Sequence, residues 1–246
     1  MDNKKRQGRV TSSQAYRIME GVTKPSKAFY TYAKEISAEI ILGCPVGTEV
    51  NARAVHWGSL MEHVLFDNLT GFDYEMTHNE TIVSKISDFH SGTPDMEKPK
   101  ICVGEIKCYY RSSFFEFSEN LRKKNINIIK KEHKKEYWQV VSNSVLAETP
   151  NAELFSFMPK KKILLGVFEK IKDTDYLEQK GLNPSNYIYF TKENIESFNY
   201  IPDECDYPMI SSFEFEVPKE DKELLCSRIK MMEEEVKLRL SNRKTI

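Results

Sequence analysis

The sequence predicts one α/β domain, a central mixed β-sheet flanked by helices. Three observations predict it. Apolar residues follow helical spacing near both ends, strand-like runs occupy the middle, and no linker, repeat or low-complexity stretch divides the 246 residues. Hydrophobic residues make up 40% of the chain, enough for a substantial core, and charged residues 30%, an ordinary surface. No apolar run approaches the roughly 18 residues that span a bilayer. The basic start MDNKKRQGRV lacks the apolar region of a secretory signal. Five cysteines, Cys44, Cys102, Cys108, Cys205 and Cys226, form no CxxC or zinc-type pair, so reduced thiols in a cytosolic setting are expected.

The elements follow from periodicity and punctuation. Residues 10–20 read as a helix, with Thr11 or Ser12 as N-cap ahead of Ala15, Ile18 and Met19. A second helix covers 26–42 and ends near Gly43-Cys44-Pro45, and a third covers 51–69. Its expected inner face is Ala54, Gly58, Glu62, Leu65, Phe66 and Leu69, spaced at i, i+4 and i+7. Glu62 is the odd member, because burying a carboxylate is costly unless something pairs with it. From 79 to 107 the period shifts to strands, at 81–86 and 101–107, around a turn-rich SGTPD. Helix returns at 132–148, and strands are expected at 153–158 and 162–169, on either side of a PKKK turn. Residues 170–212 hold turn signals and one strand-like piece at 187–190. A strand at 213–217 then leads through Pro218 into a helix whose buried stripe is Leu225, Ile229, Met232 and Val236.

Chemistry concentrates at Asp95 and at Glu105-Ile106-Lys107. On its own, Pro-Asp followed by Glu-x-Lys describes an ordinary surface hairpin. Three further features shift the reading. Glu62 lies on an apolar face, Gln139 lies mid-helix among apolar neighbours, and Glu105 lies on an otherwise apolar strand. Two carboxylates and a lysine meeting at the end of a hairpin suit a hard divalent cation, which prefers oxygen ligands and keeps several waters. Such a cluster is equipment for cutting a phosphodiester bond. The net charge of −1 argues against indiscriminate coating of nucleic acid, yet the charge is uneven. Lys4, Lys5, Arg6 and Arg9 crowd the start, and Arg122, Lys123, Lys124, Lys130, Lys131, Lys134 and Lys135 crowd the middle. Local patches of this kind contact phosphates whatever the total. Left alone, the lysine run is a solvated surface; between the Glu-x-Lys strand and the Gln139 helix it also reads as a DNA track.

Four blocks carry a resemblance. RQGRVTSS at 6–13, NARAVHWGSLMEHVLF at 51–66, SGTPDM and GEIKC within 91–108, and EYWQVVSNSVL at 136–146 stand in order and at similar spacing. The chain resembles the phage lambda exonuclease and YqaJ-like viral recombinase group of the PD-(D/E)XK nucleases over about residues 5–160. Beyond 160 the likeness weakens, and residues 160–212 read as an insertion within a single nuclease domain spanning 1–246. Met96 stands where the family usually has glycine.

The resemblance implies a restriction-endonuclease-like core and a set of roles. Asp95 and Glu105 would bind magnesium, with manganese able to substitute, and the carbonyl of Ile106 would add a ligand. Glu62 would bind a metal-bound water or a second ion. Lys107 would hold the attacking water, as base or as positioning group, and Gln139 would orient the lysine or the scissile region. Arg6 and Ser13 match residues that anchor the substrate's 5′-phosphate. From the residues alone Arg6 also reads as a tail residue and Ser13 as a helix cap, and a cap and an anion site coexist at one helix N-terminus. The implied activity is 5′-to-3′ exonuclease digestion of linear duplex DNA ends, leaving 3′ overhangs for recombination. Also implied are a homotrimer, a single-strand annealing partner and the cytoplasm of a bacterium or phage-infected host. Rival readings are an endonuclease of restriction or repair type and a non-catalytic DNA-binding protein that keeps the fold. Tyr109, Tyr110, Phe114, Phe115 and Phe117 read as core ahead of base-stacking, His56 as structural, and His90 as leaning toward substrate.

Overall fold

The computed structural model of the chain describes residues 3–21, 24–46, 53–68, 73–77, 80–109 and 111–243. Two sheets organise it. Strands β1 (Val10–Thr11), β2 (Glu75–Met76), β3 (Ile82–Val83), β4 (His90–Gly92), β5 (Met96–Lys98), β6 (Cys102–Lys107), β7 (Asn151–Phe157) and β8 (Ile210–Glu216) follow in chain order. The larger sheet runs β2-β5-β6-β7-β8, with β6 and β7 parallel and the other pairs antiparallel. The smaller runs β1-β4-β3. The mixed α/β class expected from the sequence is therefore the class found, with a second small sheet beside the central one.

Helices α1 (Asn3–Arg6), α2 (Ala15–Ile18), α3 (Lys27–Leu42) and α4 (Arg53–Asn68) precede the central strands. Helices α5 (Arg111–Arg122), α6 (Ile126–Glu132) and α7 (Lys134–Leu146) fill the connection from β6 to β7. Helices α8 (Lys161–Lys170) and α9 (Thr174–Gln179) follow β7, and α10 (Lys219–Arg243) ends the chain. The termini of α3 show why its bounds were legible. The Ser26 side chain accepts from the Phe29 N–H, and Gly43 closes the helix in the left-handed region at φ +68°.

Strand alternation divides the core between the two faces of the central sheet. Val103, Ala152, Leu154, Phe213 and Phe215 pack with residues of α2, α3, α7 and α10. Cys102, Ile106, Phe155 and Phe157 pack with residues of α4, α8 and α9. On β6 the even positions 102 and 106 thus face α4, while Val103, Glu105 and Lys107 share the face toward α7. The expected stripe of α10 is fully inside, with Leu225, Ile229, Met232 and Val236 at most 3% exposed.

Several expectations are corrected. The segment 10–20 is no single helix: Val10–Thr11 pairs with β4, Ser12–Gln14 is a 3-10 turn, and α2 follows. In α4 the buried stripe is Trp57, Leu60, Met61, Val64 and Leu65, while Ala54 is exposed and Gly58, Glu62 and Phe66 are half-buried. Glu62 therefore stands at the margin of the apolar face. Residues 162–169 form helix, because Leu164, Val167, Phe168 and Ile171 are buried at i, i+3, i+4 and i+7. The strand-like piece at 187–190 is no strand: Asn183 caps a 3-10 turn with Pro184 at its start, and the turn ends at Tyr187. The strand expected at 81–86 shortens to Ile82–Val83. No element was expected where α5 and α6 stand, and their aromatic and lysine content hid an amphipathic pattern. Phe114 and Phe117 are core as expected, while Phe115 is 41% exposed. Tyr110, Asn51 and Leu69 lie outside the described residues.

Candidate active site

The carboxyl end of β6 collects the acidic residues. Strand pairing of β5 with β6 stops at Met96 and Gly104. One residue earlier, Asp95 turns its side chain to the freed backbone, and the Ile106 N–H donates to Asp95 Oδ2 at 2.7 Å. Met96 is the buried residue that holds this turn: a Cβ on Gly104 would stand 2.7 Å from Met96 Cγ, so the methionine uses the space glycine leaves. Glu105, 2% exposed, faces α7. Lys107 Nζ donates to Glu105 Oε1 at 2.7 Å and to Gln139 Oε1 at 3.1 Å, and Gln139 Nε2 donates to the same Glu105 oxygen. Asn143 Nδ2 donates to Glu105 Oε2 at 3.0 Å.

These contacts form a ladder. Residues 105, 107 and 109 alternate along one face of β6 and its continuation, and Asn143, Gln139 and Glu136 lie along one face of α7 at helical spacing. Asn143 meets Glu105, Gln139 meets Lys107, and the Tyr109 hydroxyl donates to Glu136. Glu62 enters from the opposite layer, carried by α4, and lies within electrostatic reach of Glu105 and Lys107. The structure thus brings together Glu62, Asp95, Glu105, Lys107 and Gln139, and adds Asn143, Glu136, Tyr109 and Cys108, which sequence reading missed. The polar stripe at 136, 139 and 143 inside an otherwise apolar helix was the signal that could have found them.

Electrostatics in the corner are one-sided. Burial, then repulsion from Glu105, lifts the Glu62 carboxyl to about 7, against the opposing pull of Lys107. Burial, Glu105 and Glu62 raise Asp95 well above the usual carboxylate range. Glu105 is raised by burial despite Lys107. Burial works against the Lys107 charge, but Glu105 and Asp95 outweigh it and raise the ammonium above its ordinary value. The Cys108 thiol is raised by burial and by Glu62 and Asp95, so it stays protonated.

Three carboxylates facing one ammonium fit a divalent cation, whose charge offsets their repulsion and whose preferred ligands are oxygens. Among the described residues, no group of three or more His, Cys, Asp or Glu is gathered tightly enough to hold a metal on side chains alone.

Arg6 and Ser13 lie elsewhere. They line an open cleft of about 570 Å³ with Arg9, Thr11, Gln14, Arg17, Tyr32, Glu35 and Glu39, among others, and none of the carboxylate-corner residues lines it. Arg17 grips Glu35 at 2.6 and 2.8 Å and lies over the Tyr32 ring. Arg9 donates to the carbonyls of Lys4, Lys5 and Asp88. The neighbouring Ser12 turns inward and bonds Ser142 at 2.8 Å. His90 is also turned inward, 1% exposed, with Nε2 2.7 Å from Ser142 Oγ. The expectation that His90 leans toward substrate is thereby overturned, because the short β4 buries it. His56 packs its ring against Tyr187, a structural contact. Within the lysine run, Lys130 is tied to Asp221 and Lys131 to Glu132, while Lys134 and Lys135 are exposed.

A family model described as the YqaJ-like viral recombinase domain matches residues 3–149. Among solved structures, the alkaline exonuclease LHK-Exo from Laribacter hongkongensis is similar at 13% identity and TM-score 0.62, covering 98% of this chain and 93% of that one. Its complex with dAMP gives 13% identity and TM-score 0.64, covering 99% and 95%. A phage-related exonuclease from Haemophilus somnus 129PT gives 11% identity and TM-score 0.61, covering 96% of each chain. No curated protein matches significantly. Among the described residues, no helix is long and apolar enough to cross a membrane.

Proposed function

Because this chain belongs to the YqaJ-like viral recombinase family, we propose that it is a magnesium-dependent exodeoxyribonuclease. It digests linear double-stranded DNA from the 5′ end and leaves 3′ overhangs for strand-annealing recombination. One observation carries the reading: Glu62, Asp95, Glu105, Lys107 and Gln139 converge at the carboxyl end of β6 from both layers of the fold.

Asp95, Glu105 and the Ile106 carbonyl would hold the metal, and Glu62 would act toward its hydration shell or a second ion. When bound, the metal stabilises charge on the attacking and leaving oxygens of an in-line displacement. The chain's own groups do the rest. Lys107, held by Glu105 and Gln139 on one side, directs its remaining donor capacity at the attacking water and the phosphate oxygens. Gln139 bridges the ammonium and Glu105, since it bonds both, and fixes the position of the pair. Arg6 and Ser13 anchor the 5′-phosphate in the arginine-lined cleft, with its local positive charge.

In this reading residues 1–246 form one nuclease domain carrying an insertion at 160–212. The assembly is a homotrimer on DNA, the partner is a single-strand annealing protein, and the setting is the cytoplasm of a bacterium or phage-infected host. A linear duplex labelled at one end tests the activity. The 5′ end carries phosphate or hydroxyl, and magnesium or chelator is added. Release of label from the 5′-phosphorylated strand only with magnesium is expected. Cleavage of covalently closed plasmid would identify an endonuclease instead, and binding without cleavage a non-catalytic protein.

A further inference from the structure

Asn143 has no part in the chemistry above, yet it is fully buried against the most buried carboxylate of the site. A carboxylate offers about four acceptor directions. On Glu105, Lys107 and Gln139 take Oε1, and Asn143 takes Oε2 at 3.0 Å. One direction on Oε2 is left.

The seat of Asn143 is built with little slack. A Cβ on Gly92 would stand 2.7 Å from Asn143 Oδ1, 2.0 Å from Ser12 Oγ and 2.6 Å from Leu146 Cδ1. Only glycine at 92 lets β4, the 3-10 turn and α7 close together. The adjacent Ser142 bonds Ser12 at 2.8 Å and His90 at 2.7 Å, and all three side chains are buried. This arrangement sets the rotation of α7 about its axis, which aims the amide. Asn143 Oδ1 has no partner, so the amide stays there for its N–H donor to Glu105.

We propose that Asn143, seated by Gly92, is a positioning residue that orients the Glu105 carboxylate so that the free lone pair of Oε2 faces the Asp95 side of the corner. The inference rests on the reading of Glu105 as a metal ligand. Groups that orient a ligand from behind are worth about 10- to 100-fold in metal affinity.

Calorimetric titration of the full-length, DNA-free protein with calcium alone tests it, alongside the magnesium dependence of cleavage. Asn143→Leu should weaken calcium binding about 10-fold. It should raise the magnesium concentration needed for half-maximal rate more than it lowers the rate at saturating magnesium. Duplex binding in chelator should not change. Asn143→Ala removes the donor without added bulk and gives the same reading if the leucine variant fails to fold. Combined with Glu105→Gln, Asn143→Ala should cause no further loss, because its effect passes through Glu105; an additive loss would overturn the proposal. Wild-type calcium affinity in Asn143→Ala, with affinity lowered in Glu105→Gln and Asp95→Asn, would overturn it and leave the nuclease reading intact. Wild-type affinity in all three variants would remove the metal site itself.

Discussion

The carboxylate corner and the arginine cleft are both charged, but they balance charge in opposite ways. In the cleft, Arg17 is matched by Glu35 at two points, and Arg9 by backbone carbonyls. Glu35 accordingly lies below its ordinary carboxylate range, held there by the Arg17 hydrogen bonds. In the corner, Glu62, Asp95 and Glu105 share one ammonium, and all three carboxyls lie above their ordinary range, chiefly through burial. The cleft's Arg9, Arg17 and Glu35 are thus satisfied by partners within the chain. The corner's carboxyls outnumber its ammonium and are strongly perturbed, and perturbation of that kind clusters at functional sites.

The largest expected effect breaks the corner's chemistry and spares the cleft. Lys107→Ala or Asp95→Asn should lower the cleavage rate on linear duplex by about 10³-fold or more, measured in single turnover, with end binding in chelator retained. Wild-type rates in either variant would mean that the corner is not the active site.

The second effect exposes the corner's imbalance as pH dependence. Glu62 ionises at about 7 in the folded chain against 4.5 ordinarily, so between those values the folded protein holds a proton that the unfolded chain releases. Its contribution to stability is present below about pH 4.5 and declines as pH rises toward 7. In chelator, the melting temperature of the wild type should fall by several degrees from about pH 5 to pH 7 relative to Glu62→Gln. Magnesium should diminish that fall. Parallel curves for the two proteins would place Glu62 outside the corner.

The third prediction concerns the cleft. Arg6→Ala should reduce the preference for 5′-phosphorylated over 5′-hydroxyl ends by about 10-fold, the worth of a charge-assisted phosphate hydrogen bond. Equal loss on both substrates would remove Arg6 from the anchor role. The smallest effect belongs to the exposed lysines. Replacing Lys134 and Lys135 by alanine should weaken duplex binding at every sequence alike and flatten its salt dependence by about one unit for each phosphate no longer neutralised. An unchanged slope would leave that surface merely solvated.

The corner was legible because its parts are local. Asp95, Glu105 and Lys107 lie on one hairpin, and strand alternation places Glu105 and Lys107 on one face wherever that hairpin folds. Helix α3 was legible for the same reason, since Ser26 and Gly43 are signals carried by the backbone at its own ends. Where a feature depends on a partner far along the chain, the reading failed or fell silent. Residues 162–169 have an apolar run that suits strand or helix, and only packing in the layer of α4 chose the helix. His90 looked accessible beside a turn, but pairing of β4 with both β1 and β3 sealed it inside.

Residue order was sufficient to specify the hairpin, its three charged groups and the flanking helices with marked ends, because those follow from spacing and capping within a few residues. The clamp of Asn143 on Glu105, the pairing of Tyr109 with Glu136 and the approach of Glu62 to Glu105 and Lys107 came from assembly. They depend on how α7 and α4 are rotated against β6, and that rotation is set by distant contacts such as Gly92 beneath Asn143 and Ser12 against Ser142.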